Sequence, residues 1–485
     1  MSSFKKDLIS GSVYIGIAKY AGIVCQLAIT AVLARLLTPA DYGIIAIATV
    51  FIVFFNILSD LGIGVAVIQR KDLDERDLDH LYSINIYLGI ILSILFFTLS
   101  GTISNYYENE ELKPVCQLLS LMILFTCCRT VPMNLLYREK QFKYIAFTNL
   151  GVNVVCGVAA MLAALRGWGV YSLVLSQVMS ALCLFIMYAR KYRRHFYIKV
   201  DFTPLKRIFS YSLYNFIGTI FVYFTQNIDK ILIGKYTGAE ALGYYEKSYR
   251  LMQMPVENIT FVVTPVLHPL LSEYQNDLQQ LCQKYLRIVN AFAYLSFPIA
   301  ALCFFIAKEL VLIFFGNQWL DAIPVFQITC FAIAFMMLNS TVGSIFNASN
   351  NTKRGFYTGI VLSLLMIASI SVAISLYNTI IAVAYAYLFA RVVGTFYNFY
   401  SLMKGLNNSY MDFLKVLIKP ALIGISLFVG LELFVQFITI ENILLSLLVK
   451  CSIWFVMTLA LVQWLSGYNI IRIGVDKVKS FAHKR

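Results

Sequence analysis

Glu246, Arg250, Gln253 and Glu257 recur at i, i+4, i+7 and i+11 inside an otherwise apolar run. Helical spacing confines them to about 60° of arc, one polar stripe on a long helix. A guanidinium in such a stripe can grip a phosphate or diphosphate through two parallel hydrogen bonds, which an ammonium cannot copy. A second stripe runs through Asn215, Thr219, Gln226 and Lys230, with Asp229 alongside, and a third through Ser12, Lys19, Gln26 and Thr30. An ionised side chain at the centre of a membrane-spanning helix costs at least about 2.5–3.5 kcal/mol, so such residues are functional candidates by default. Arg250 is therefore the first choice for substrate binding, with Lys19, Lys230, Gln226, Gln253 and Asn215 beside it in a water-filled cavity shared by two halves of the chain. Lys19 and Asp60 each lie roughly 12 Å from the cytoplasmic end of their helix, counting 1.5 Å per residue. They read as an intramembrane pair, serving either structure or ion coupling, and Glu246, Glu257 and Asp229 share that double reading.

The bland reading has equal standing. Buried ion pairs often only hold helices together, and polar stripes act as glue between helices. Arg129 and Arg391 are two further cations within apolar segments. Lys308, Glu309 and Lys450 sit near segment ends and read as structural or snorkelling groups. His80 and His268 have no metal-like spacing. No metal or cofactor is expected.

The elements that must position these residues are membrane helices. Of 485 residues, 60% are hydrophobic and 13% charged, against about 25% charged in soluble proteins. Fourteen apolar segments recur, near 11–36, 41–68, 80–104, 114–137, 143–165, 168–190, 207–235, 241–268, 286–314, 322–348, 356–376, 379–403, 413–436 and 443–466. Lipid offers no partner for bare backbone groups, so spans are helices or closed barrels. These runs are too long and too continuously apolar for barrel strands. The fold class is all-α and polytopic. The N-terminal segment resembles a signal peptide, but it has no A-x-A site and reads as a retained first helix. The ten cysteines are scattered without C-x-x-C and read as small core residues.

Loop charge sets the orientation. One alternate set of breaks holds 27 of the 39 basic residues, including Arg190–Arg207 and the tail from Arg472. The other set holds only Arg35, Lys113, Arg166 and Lys235, and one of its members, 105–111, is acidic. The positive-inside rule then places both termini in the cytoplasm. The net charge of +14 reflects these loops and not nucleic acid, since no aromatic-plus-basic module occurs.

LARLLTPADYG (Leu33–Gly43) matches LIGKYTGAEALG (Leu232–Gly243) with one inserted residue. Both link the first and second helices of a half. The offset divides the chain into six-helix lobes at 1–200 and 201–405, with two more helices and a basic cytoplasmic tail at 406–485. An even helix number makes the repeats parallel, related by an axis along the membrane normal. Arg190–Arg207 is the expected linker.

Four runs carry a family likeness: Leu33–Ala48 (LARLLTPADYGIIAIA), Ser59–Arg70 (SDLGIGVAVIQR), Leu135–Tyr144 (LLYREKQFKY) and Asn227–Leu251 (NIDKILIGKYTGAEALGYYEKSYRL). In these the chain resembles the polysaccharide transporter (Wzx-type flippase) family of the multidrug/oligosaccharidyl-lipid/polysaccharide exporter superfamily, nearest the lipopolysaccharide or colanic-acid exporters. The resemblance implies two six-helix lobes in a V plus two extra helices. It implies alternating-access movement of an undecaprenyl-diphosphate-linked oligosaccharide across a bacterial inner membrane, through a cationic cavity and, in some members, with ion coupling. The implied partners are that lipid-linked oligosaccharide, membrane lipids, and the polysaccharide polymerase and glycosyltransferases of the same pathway. Two other readings stay open. A cation-coupled exporter of drugs or metabolites would have a more acidic, aromatic cavity. A membrane polymerase or ligase would need a large outside loop, whereas every outside break is shorter than about 15 residues, ordinary connector length. A nucleotide-driven pump is disfavoured because G-x-x-x-x-G-K-[ST] is absent.

Overall fold

The computed structural model describes the backbone of residues 2–60, 62–70, 72–438 and 440–466, and their side chains except at 2–15, 17–18, 206–219, 221–222, 262, 265–266, 268–269 and 466. The Asn215 side chain and the basic tail from Arg472 therefore lie outside the described residues. The chain runs through α1 (Ser2–Leu36), α2 (Pro39–Asp60), α3 (Ile63–Gln69), α4 (Glu75–Tyr107), α5 (Leu112–Arg138), α6 (Phe142–Leu165), α7 (Val170–Lys191), α8 (Thr203–Tyr236) and α9 (Ala239–Ser272). It continues through α10 (Leu278–Phe305), α11 (Ala307–Phe314), α12 (Ala322–Cys330), α13 (Ala332–Asn339), α14 (Val342–Ala348), α15 (Thr352–Tyr377), α16 (Ile380–Gly405), α17 (Tyr410–Phe437) and α18 (Ile443–Ser466). No strand occurs among the described residues. The chain is all-α, as its apolar segments require.

Each of the fourteen expected segments is helical, but three are broken. Gly62, at φ 78°, separates α2 from α3, a left-handed conformation that glycine adopts without a Cβ clash. The segment at 286–314 divides into α10 and α11, and that at 322–348 bends by 47° after α12. Among the described residues eleven helices are long and apolar enough to cross a membrane, or twelve counting the bent segment. That is fewer than the fourteen expected. The long helices outside that set are α8 and α9. α9 carries Glu246, Lys247, Arg250 and Glu257, and parts of both α8 and α9 lie outside the described side chains. The composition and these helices make a multi-pass membrane protein.

Two compact units are seen: Met1–Glu246 with Phe314–Gln318, and Lys247–Ile313 with Trp319–Arg485. In the first unit α5 packs against α4 and α7, and α6 against α1 and α7. The segment after α7 is no loose tether. Arg194 pairs with Glu75 on α4 and lies 3.7 Å from Asp79. The backbone N–H groups of His195 and Tyr197 donate to Asp79 Oδ1 at 3.2 Å and Ser83 Oγ at 2.9 Å.

In the second unit α10 packs against α13 and α17, and α15 against α16. Ile423 and Leu427 of α17 bury against Ala301 and Val462, which ties α17 and α18 to α10. A polar staple joins α18 to α10 and α11. Lys450 Nζ lies 2.5 Å from Glu309 Oε1 and donates to the Phe305 carbonyl at 2.9 Å. Ser446 Oγ donates to the same Glu309 oxygen at 2.6 Å, and Trp454 Nε1 to the Pro298 carbonyl at 2.8 Å. The structural role expected for Glu309 and Lys450 is seen in these bonds.

Candidate functional site

Lys19 is half-buried and lines a cavity of about 320 Å³ in the first unit. Tyr137 at the end of α5 and Asn149 and Asn153 on α6 share the lining, and none of the described lining residues is acidic. Asn149 and Asn153 are four residues apart, so helical spacing puts both amides on one face. Tyr188 on α7 donates its hydroxyl hydrogen to Asn149 Oδ1 at 3.0 Å. Arg129, on α5, lies within electrostatic range of Tyr188 and Tyr137. Its Nε is buried with no hydrogen-bond partner among the described residues. A buried donor left without a partner costs about 1–3 kcal/mol, more when charged, and an incoming anion would relieve that cost. Two cations, two carboxamides and two phenols thus occupy one region of α1, α5, α6 and α7. Sequence reasoning singled out Lys19, noted Arg129, and missed Asn149, Asn153, Tyr137 and Tyr188. The signal was present in the i, i+4 asparagines of the fifth segment.

Asp60 has a different environment. Its Oδ1 accepts the Gly64 N–H at 3.0 Å across the α2–α3 break. A Cβ on Gly64 would lie 2.9 Å from both Asp60 and Asn134, so glycine is what lets these groups close together. No ion pair between Asp60 and Lys19 is seen among the described residues. Equal depth along two helices does not fix their rotation.

Asp229, Lys230 and Glu246 come together where α8 meets α9. Asp229 is buried; its Oδ2 accepts from Tyr245 Oη at 2.8 Å and its Oδ1 from the Lys230 N–H at 2.8 Å. Lys230 Nζ lies 2.8 Å from Glu246 Oε2. Lys230 therefore brings its own counterion, and Glu246 is committed to it. Gln226 lies on the exposed face of α8.

In the second unit, Arg250 and Glu257 are exposed on α9 and Gln253 is half-buried, while Tyr249, Met252 and Val256 are buried. The polar stripe thus faces away from the packing of its own unit. Gln253 Nε2 donates to Tyr249 Oη at 3.0 Å. The Tyr249 ring meets Tyr387 edge-on at 5.8 Å, and the Arg391 guanidinium lies 4.9 Å over Tyr387. Asn398 donates to Asn339 Oδ1 at 2.8 Å, and Asn339 donates to Thr395.

The internal repeat makes a reciprocal crossing in the first unit. A Cβ on Gly43, in α2, would stand 1.7 Å from the carbonyl oxygen of Ala239, the first residue of α9. A Cβ on Gly243, in α9, would stand 1.9 Å from the carbonyl oxygen of Pro39, the first residue of α2. Each copy's glycine thus admits the other copy's backbone. Lys235 and Glu108 pair at 2.7 Å nearby. Gln318 Nε2 donates to the Leu37 carbonyl at 2.8 Å and to the Ala34 carbonyl, capping carbonyls that a helix end leaves open.

Among curated proteins, the chain is similar to the teichuronic acid biosynthesis protein TuaB of Bacillus subtilis, at 26% identity over 425 residues covering 87% of this chain and 88% of that one. It is also similar to the lipopolysaccharide biosynthesis protein WzxC of Escherichia coli, at 24% identity covering 86% and 85% of the two chains. Its fold is that of a lipid II flippase, MurJ, in an inward closed conformation, with TM-score 0.74 at 15% identity, covering 93% of this chain and 99% of that one. An inward-facing multidrug resistance MATE transporter of the MOP superfamily has the same fold, with TM-score 0.64 at 13% identity, covering 81% and 95%. A family profile described as "Polysaccharide biosynthesis protein" matches residues 32–324, more than half of the chain and including both arms of the glycine crossing. By that match the chain belongs to the polysaccharide biosynthesis protein family.

Proposed function

We propose that this chain is a flippase that carries an undecaprenyl-diphosphate-linked oligosaccharide across a bacterial inner membrane by alternating access, with both termini in the cytoplasm. The observation that carries the reading is the Lys19 cavity, with Arg129 in electrostatic range of Tyr137 in its lining. Cations suit a diphosphate. The carboxamides of Asn149 and Asn153 and the phenol of Tyr137 suit sugar hydroxyls. Arg250 and Gln253, on the exposed stripe of α9, are the second set of substrate contacts. Lys230 is a weaker candidate than helical spacing alone indicates, because Glu246 neutralises it.

The transport step breaks no bond, so the chain acts as a carrier and not as an enzyme. Its partners are the lipid-linked oligosaccharide, bilayer lipids, and the glycosyltransferases and polymerase that make and extend the sugar; nucleic acid has no part. A cavity lined by the Lys19 cation favours an anionic cargo over a cationic drug. The test is polymer export in cells whose only copy is a variant, normalised to membrane-inserted protein. Arg129→Ala, Lys19→Ala and Arg250→Ala are expected to insert normally and lose export, with Arg129→Lys and Arg250→Lys partly active. Normal export per inserted molecule by the three alanine variants would overturn the proposal.

A further inference from the structure

A second recess in the first unit has different chemistry. A groove of about 650 Å³ runs between α5 and α7, within the size range of ligand sites. Its walls are apolar, with Leu118 and Leu121 from α5 and Val174 and Val178 from α7. Leu118 is 43% and Leu121 42% exposed, so the groove opens on the outside of the helix bundle. Its mouth is polar: Asp41 and Glu111 supply carboxylates, and Trp168 and Tyr171 stand at the same level. Tryptophan and tyrosine gather where hydrocarbon gives way to headgroups.

Length and charge together identify the occupant. From Glu111 to Leu121 the wall of α5 extends about 15 Å by the helical rise, half of the roughly 30 Å hydrocarbon thickness. The groove is therefore one leaflet deep. An acyl chain fits its walls, and a cationic headgroup fits its rim. Asp41 Oδ2 is engaged by the N–H and hydroxyl of Thr38, both at 2.8 Å, while its Oδ1 faces the Gly169 turn. Glu111 is exposed at the start of α5. An anionic headgroup would be repelled by this pair. A choline headgroup carries its charge inside three methyl groups and donates nothing, whereas a primary ammonium has three hydrogen-bond donors.

We propose that this groove is a binding site for phosphatidylethanolamine, with an acyl chain along α5 and α7 and the ammonium at Glu111 and Asp41. The site is separate from the Lys19 cavity, and the proposal does not depend on the transported cargo. The test is native mass spectrometry of the purified full chain incubated with dioleoyl-phosphatidylethanolamine, -phosphatidylcholine or -phosphatidylglycerol. Retention of phosphatidylethanolamine about fivefold above the other two is expected, the worth of a partly exposed ion pair. Glu111→Gln should level the preference, and Leu121→Trp should lower retention of all three lipids by filling the groove. Both substitutions fall on exposed positions, so folded protein is expected and is checked by its melting profile. Equal retention of the three lipids by the unaltered chain overturns the proposal. So does a preference that survives both Glu111→Gln and Leu121→Trp.

Discussion

Replacing Gly43 with alanine puts a methyl carbon 1.7 Å from the Ala239 carbonyl oxygen. Ordinary contact needs about 3.5 Å, so the start of α2 and the start of α9 must part by roughly 1.5–2 Å. The obstacle is backbone, which has no rotamer to yield. Overpacking of this kind costs about 1–3 kcal/mol, a 5–150-fold shift against the crossed arrangement. Gly243→Ala meets the Pro39 carbonyl oxygen at 1.9 Å and should cost about as much. Because both act on one crossing, the double variant should cost less than the sum of the two. Gly101→Ala and Gly151→Ala are the controls, since nothing lies within 4 Å of a Cβ at either. Alanine there should leave stability unchanged or raise it slightly, by its higher helix propensity. The assay is thermal unfolding of the purified protein together with export per inserted molecule. Lower melting and lower export in both crossing variants, with unchanged controls, is the expected pattern. Unchanged melting and export in Gly43→Ala would refute the claim that the repeat closes on these glycines.

Three further outcomes follow from the ion pairs. Glu309 and Lys450 are nearly buried, with side-chain exposures of 6% and 13%, so Lys450→Met should cost about 3–5 kcal/mol by stranding the carboxylate. Glu309→Met with Lys450→Met should recover most of that loss in thermal unfolding. The half-buried Lys230–Glu246 pair should couple by about 1–2 kcal/mol in a double-mutant cycle, below the fully buried range; a coupling of zero contradicts its assignment. Lys235, bonded to exposed Glu108, holds that carboxyl below its usual range. A depressed folded-state pKa contributes stability above the unfolded pKa of about 4.3, and that stability disappears as pH falls through the lower folded value. The stability difference between the unaltered chain and Lys235→Met should therefore vanish on acidification through that window and shrink in high salt. A difference independent of pH excludes the pair as its source.

The helical segments were legible because apolar runs in lipid have few alternatives. The repeat was legible because Thr38 and Gly43 have counterparts in Thr237 and Gly243. Its meaning was not, since the crossing depends on backbone from the opposite copy. The break between α2 and α3 was missed because Gly62 is one residue inside an apolar run. Helical rise gave depth for Lys19 and Asp60 but no rotation, and the two meet different neighbours. The exposed position of Arg250 followed from the buried Tyr249, Met252 and Val256, which share its helix on another face. Asn149 and Asn153 were overlooked because uncharged amides cost less in lipid than charges and draw less notice. Among the described residues eleven or twelve helices pass as membrane spans, and the two long helices outside that set, α8 and α9, carry the polar stripes.

The most direct test is flipping in proteoliposomes that contain only this chain and a fluorescent undecaprenyl-diphosphate-linked oligosaccharide. Quencher added outside reports movement between leaflets. The proposed function predicts protein-dependent flipping that Arg129→Ala with Lys19→Ala abolishes while the protein stays folded, and that Arg129→Lys partly retains. Absence of flipping by the unaltered chain, or undiminished flipping by the double alanine variant, would contradict it.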